Sequence, residues 1–122
     1  MRYCVIFSLI LLMSCYEVQR DCERFKTGIF QSEFTIDGQK FISEFERFSN
    51  LQIERFDGKI DSASVRWIND CEMIFKTINP QNRIEKKDIH LKILTTTKDT
   101  YTFEYGYVGD AKKQKGIAKR LN

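Results

Sequence analysis

Tyr101-Thr102-Phe103-Glu104-Tyr105-Gly106-Tyr107 sets an aromatic ring at every second position. Successive side chains of a strand point to opposite faces, so the four rings share one face and Thr102, Glu104 and Gly106 share the other. The same two-residue period recurs outward from this stretch. Ile89, Leu91 and Ile93 alternate with His90 and Lys92, and Phe30, Phe34 and Ile36 share a parity opposite to Gln31, Glu33 and Thr35. Aromatic and β-branched residues dominate these runs and suit a pleated, half-buried surface. Asp37-Gly38 and Asp57-Gly58 sit between apolar runs, and Asp-Gly favours the positive φ angles of a tight hairpin turn.

This punctuation predicts eight strands, near 27–36, 40–48, 50–56, 60–69, 71–77, 88–97, 100–108 and 112–121. The longest connection, about 78–87, holds Pro80, the sole proline, and residues 80–88 tolerate one helical turn. No stretch sustains a helical period, and no repeat or second domain is visible. Eight short sequential strands with short turns predict an all-β fold, a small antiparallel up-and-down barrel of lipocalin-like form. A twisted open sheet or a small sandwich is the alternative. A barrel of eight strands is filled by side chains or holds one small ligand.

The N-terminus carries an address. Arg2 precedes an apolar run, Val5 to Met13, and Leu12-Met13-Ser14-Cys15 follows the order of a bacterial lipobox. Nine residues are too few to cross a bilayer, which takes about 20, and match the apolar core of a signal peptide. The expected organisation is a signal peptide over 1–14, a lipid anchor and tether over 15–24, and a barrel domain over 25–122. Lipid on Cys15 would fix the chain to a membrane, firmly if two or three acyl chains are attached. Tyr16 stands where Asp would signal inner-membrane retention, so the expected location is the cell envelope, at the outer membrane.

Cleavage before Cys15 would leave 108 residues, the usual size of one domain, with formal charge +2 in place of +3. Lys112, Lys113, Lys115, Lys119 and Arg120 against Asp110 concentrate positive charge at the C-terminal end. Such a strand meets anionic headgroups or is a solvated edge strand kept from pairing by its lysines. A pI near 8.7 and export both argue against nucleic acid as a partner. Among the cysteines, Cys4 leaves with the signal and Cys15 takes the lipid, so Cys22 and Cys71 remain. An even pair in an oxidising compartment predicts a disulfide. Two free thiols or a metal pair are the other readings, and the latter would need His90 and carboxylates to complete it.

Cys22-Glu23-Arg24-Phe25-Lys26-Thr27-Gly28-Ile29-Phe30, Val65-Arg66-Trp67-Ile68-Asn69-Asp70-Cys71-Glu72, Ile93-Leu94-Thr95-Thr96-Thr97 and Tyr101-Thr102-Phe103-Glu104-Tyr105 resemble a family of small envelope lipoproteins from Gram-negative Bacteroidetes. The resemblance runs from Cys22 to about Ala118. It implies an envelope address and supports a Cys22–Cys71 bridge, but implies no activity. Some members carry a topoisomerase label, which these residues do not support: there is no ATP-binding loop and no setting for a nucleophilic tyrosine.

No catalytic constellation is present. His90, the only histidine, shares a strand parity with Asp88, but Ile89, Leu91 and Ile93 take the other, which turns His90 to solvent. No Gly-x-Ser-x-Gly turn, glycine-rich phosphate loop, His-Glu-x-x-His or calcium loop occurs. Glu44, Glu46, Glu54 and Glu72 alternate with apolar residues and read as solvated faces. Trp67, the sole tryptophan, reads as a core anchor near the bridge or as a ligand-stacking ring, with Arg66 beside it. Nine phenylalanines and four tyrosines follow Cys15. They fill a barrel or line an apolar pocket, with Phe34, Phe103 and Tyr105 the rings named for the pocket. The expectation is therefore a monomeric, non-enzymatic barrel without metal or cofactor, binding a small apolar ligand inside or an envelope protein outside. A solid interaction module and a hydrolase whose carboxylates converge in a cleft are the alternatives.

Overall fold

The computed structural model describes residues 20–122. The signal segment and Cys15 lie outside the described residues. Eight strands follow in order: β1 (Gly28–Ile36), β2 (Gln39–Arg47), β3 (Leu51–Phe56), β4 (Lys59–Asn69), β5 (Glu72–Thr77), β6 (Ile89–Thr96), β7 (Thr100–Tyr107) and β8 (Gln114–Arg120). Each pairs antiparallel with the next, and β8 closes on β1 through Phe30↔Arg120 to Phe34↔Gly116. The barrel is the up-and-down form that the alternation predicts. Closure changes the reading of the basic C-terminal stretch. Pairing on both sides means that β8 is no edge, and its exposed Lys115 and Lys119 lie on the outer surface.

The two Asp-Gly turns do what their chemistry allows. Asp37 and Gly38 have φ of 49° and 79°, and Asp57 and Gly58 have 50° and 75°. Positive φ at both central residues matches the right-handed twist of the flanking strands. These turns, the 78–88 connection and the 108–113 turn share one end of the barrel. The β2–β3, β4–β5 and β6–β7 turns share the other.

That second end is plugged. Cys22–Phe25 forms a 3₁₀ turn with Cys22 and Phe25 buried. Arg20 and Asp21 already belong to the folded unit: Arg20 Nη1 donates to the Ile93 carbonyl at 2.7 Å and Asp21 N to Thr96 Oγ1 at 2.9 Å. The stretch expected as a tether is thus, from Arg20 onward, part of the barrel's closed end. A Cys22–Cys71 disulfide, with Cα atoms 5.3 Å apart, staples the plug to the β4–β5 turn. Arg120 at the end of β8 donates to the Thr27 and Arg24 carbonyls and lies over the Phe25 and Phe30 rings. Gly28, with φ of 140°, leaves the space: a Cβ there would collide with Arg120 Nη1.

The core sits above this plug. Phe25, Phe30, Phe45, Met73, Ile93, Tyr101 and Ala118 are nearly or fully buried. Phe30 and Phe45 stack at 5.1 Å, and Phe25 meets Tyr101 at the same distance. Among the described residues, no helix is long and apolar enough to cross a membrane.

Candidate functional site: an aromatic chamber with an acidic wall

The rings do not fill the barrel to the top. A chamber of about 370 Å³ lies inside, walled chiefly by apolar surface. It falls at the small end of the usual ligand-pocket range of roughly 300–1,000 Å³. Phe34, Phe45, Phe75, Leu91, Phe103 and Tyr105 supply the walls. At its outer part Phe34 stacks on Phe41 at 5.6 Å and meets Tyr105 edge-on at 6.1 Å, while Phe41 meets Phe56 at 5.9 Å. Ile60, Ile78, Ile84 and Val108, all on or beside the open-end connections, are exposed.

Arg47 forms part of the chamber's lining and is 1% exposed. Its parity on β2 continues Phe41, Ser43 and Phe45 into the barrel. Among the described residues, no carboxylate pairs with its charge. Instead Nη1 donates to the Phe25 carbonyl at 2.8 Å, Nη2 to Tyr101 Oη at 3.0 Å and Nε to Gln52 Oε1 at 2.9 Å. The rings of Phe30, Phe45, Trp67, Phe75 and Tyr101 lie 5.0–5.9 Å from its guanidinium carbon. Charge-assisted hydrogen bonds and ring quadrupoles together replace the lost water. Ser32 and Ser43, directly opposite on β1 and β2 and both buried, join through their hydroxyls at 2.7 Å.

One wall is acidic. Glu54 on β3 and Asp61 on β4 are direct cross-strand partners and both line the chamber. Glu85 reaches it from the 78–88 connection, where its Oε2 accepts from Gln81 N and its own N–H donates to Asn82 Oδ1. Burial pushes the Glu54 carboxyl above its ordinary value, and the charge of Asp61 adds to the shift. The Tyr105 phenol is pushed up by burial, then by Glu54 and Tyr107. Among the described residues, neither Glu54 nor Asp61 takes part in an ion pair.

The residues singled out from sequence divide between two places. Phe34, Phe103 and Tyr105 stand together in the chamber. Trp67 does not join them: it packs against the core below, with Lys26 Nζ 5.2 Å from its ring centre and its own buried Nε1 without a partner among the described residues. Arg66 points outward on β4 and is exposed, opposite Ile74. His90 lies on the outer face, 3.0 Å from Glu72 Oε1 rather than paired with Asp88. Of the carboxylates expected on solvated faces, Glu54 faces inward. The reason is β3 itself, where Leu51 and Ile53 take the outer face while Gln52 and Glu54 take the inner. An alternation rule that sends the apolar set inside inverts this strand. Charged and hydroxyl side chains read as exposed by residue type, so sequence hides the inward placement of Arg47 and the serine pair, although their parity with Phe45 and Phe30 marks them as internal.

No protein-family model, curated protein or solved structure matches this chain.

Proposed function

We propose that the protein is a lipid-anchored receptacle of the bacterial cell envelope, holding a small, mainly apolar ligand inside its barrel. The observation that carries this reading is the aromatic chamber above a plugged end. A core built only for stability fills its interior to close packing, whereas here Phe34, Phe103 and Tyr105 border open volume. Exposed Ile78, Ile84 and Val108 around the open end offer an apolar ligand a path out of water. The anchor fits this geometry. Four residues separate Cys15 from Arg20, and the five steps between them span at most about 18 Å when extended. Lipid on Cys15 would therefore set the plugged end against the membrane and turn the open end away from it.

Glu54 and Asp61 bear on the hydrolase alternative, since two adjoining carboxyl groups, one of them raised by burial, resemble an acid–base arrangement. Hydrolysis also needs a scissile bond and a water placed between the two groups, and no feature of the chamber selects such a bond. The pair is better used for recognition. The experiment is mass spectrometry of residues 16–122, which include the whole barrel, plug and disulfide, purified from an oxidising periplasm. Additional mass in the native spectrum that disappears on denaturation is the expected result. A bare native mass, together with no uptake of any apolar probe, would overturn the reading.

A further inference from the structure

The chamber's charges are distributed unevenly. Three carboxylates, Glu54, Asp61 and Glu85, face it against one guanidinium, Arg47. Each nitrogen of Arg47 already donates to a protein acceptor, and five rings surround the group. It is a structural cation, held under π faces. The carboxylates are differently placed. Glu54 and Asp61 stand side by side on neighbouring strands, a like-charged cross-strand pair that is unfavourable unless something offsets it. Among the described residues, no ion pair offsets either charge.

We infer that the ligand of this chamber is an organic cation with an apolar body, a hydrophobic amine whose ammonium group sits between Glu54 and Asp61 while its hydrocarbon lies against Phe34, Phe103 and Tyr105. The inference rests on the receptacle reading and names the ligand class within it. A metal ion is a poorer match: among the described residues, no three His, Cys, Asp or Glu side chains converge as ligands. An anion such as a fatty carboxylate would meet three carboxylates in the chamber's lining against one guanidinium. An ammonium relieves the repulsion between the two carboxylates, and Phe34 and Tyr105 present the ring surface that attracts a cation.

The test is calorimetric titration of residues 16–122 with octylamine, octan-1-ol and octanoate at neutral pH. The three share a chain and differ in charge. Octylamine is expected to bind about tenfold or more tighter than octanol, the size of one charge-assisted hydrogen bond, and octanoate weakest. In the Glu54→Gln and Asp61→Asn variants the amine's advantage over octanol should shrink, and in the double variant it should vanish while octanol binding persists. Retained octanol binding also shows that the variants are folded. Equal binding of amine and alcohol by the unaltered protein, or tighter binding of octanoate, overturns the cation inference and leaves the receptacle standing. No binding of any of the three overturns both.

Discussion

The two ends of this barrel solve opposite problems with similar residues. At the plugged end the buried charged groups have answers, and Trp67 Nε1 is the one buried side-chain polar atom among the described residues left without a partner. Arg47 has three acceptors, Arg120 has two carbonyls, and the plug is both hydrogen-bonded and covalently tied. At the open end the rings of Phe34, Phe41, Phe56 and Tyr105 touch one another but leave volume beneath, and Glu54 faces Asp61 without a counter-charge. The difference separates stability from function along the barrel axis. One end holds the fold together, and the other keeps the loose packing and uncompensated charge that a binding site requires.

The sharpest way to break this comparison is to make the same truncation at both ends. Phe30 and Phe34 are four residues apart on β1 and face the same interior. Phe30 is fully buried, while Phe34 is half-buried beside the chamber. Phe30→Ala is expected to cost about 3–5 kcal/mol, the usual loss for a packed aromatic. Phe34→Ala should cost clearly less, since part of its surface already borders open space. Urea unfolding of both variants measures the gap. Equal losses would mean that the open end contributes as much to the fold as the closed end, and the division of labour would fail.

Next in size is the staple. The chain between Cys22 and Cys71 closes a loop of separation 49, for which loop-closure entropy alone gives about 4 kcal/mol, with measured values more often about 2–4. The Cys22→Ala, Cys71→Ala double variant should therefore lower the thermal midpoint by several degrees or more. The loss should fall on the plugged end first. Amide exchange should quicken at Cys22–Phe25 and at Ile93, whose N–H donates to the Cys71 carbonyl, while the 78–88 connection keeps its wild-type rates. Uniform quickening over the barrel would show that the bridge stabilises the whole fold rather than the plug.

The two ends also differed in how far they were legible from sequence. The eight strands and both Asp-Gly hairpins were readable because alternation and turn chemistry are local. Even strand count and short turns then favoured closure. The plug was not readable. Cys22-Glu23-Arg24-Phe25 has no apolar period, and its burial depends on Arg120 and Cys71, which lie far along the chain. The aromatic half of the chamber, Phe34, Phe103 and Tyr105, was legible as rings on strand faces. Its acidic half was not, because whether a carboxylate faces in or out is set by its strand's register with its neighbours. In β3 that register turns the more polar parity inward.

The smallest predicted effect distinguishes the ends by the sign of one carboxylate's response to pH. Glu72, beside the disulfide, accepts from Asn69 Nδ2 and stands 3.0 Å from His90 Nε2. The Asn69 hydrogen bond first, then His90 and Lys92, hold its carboxyl below the ordinary value despite partial burial. A carboxyl lowered by folding adds stability above its unfolded value near 4.5 and loses it as pH falls through the folded value. Glu54 runs the other way. Burial and Asp61 raise its carboxyl, so its neutral form is the one the fold accommodates. Its contribution is intact below about 4.5 and is lost as pH rises through the raised folded value. Glu54→Gln should accordingly stabilise the ligand-free protein at neutral pH, by less than about 1 kcal/mol because solvent still reaches and screens this partly buried group. The gain should disappear below the carboxyl range, where both side chains are neutral. Glu72→Gln should destabilise at neutral pH, with the difference again closing in acid. Urea midpoints of the two variants at neutral and acid pH measure both effects. If Glu54→Gln were destabilising at neutral pH, the carboxylate would have a partner in the folded protein and the open end would be as well satisfied as the closed one.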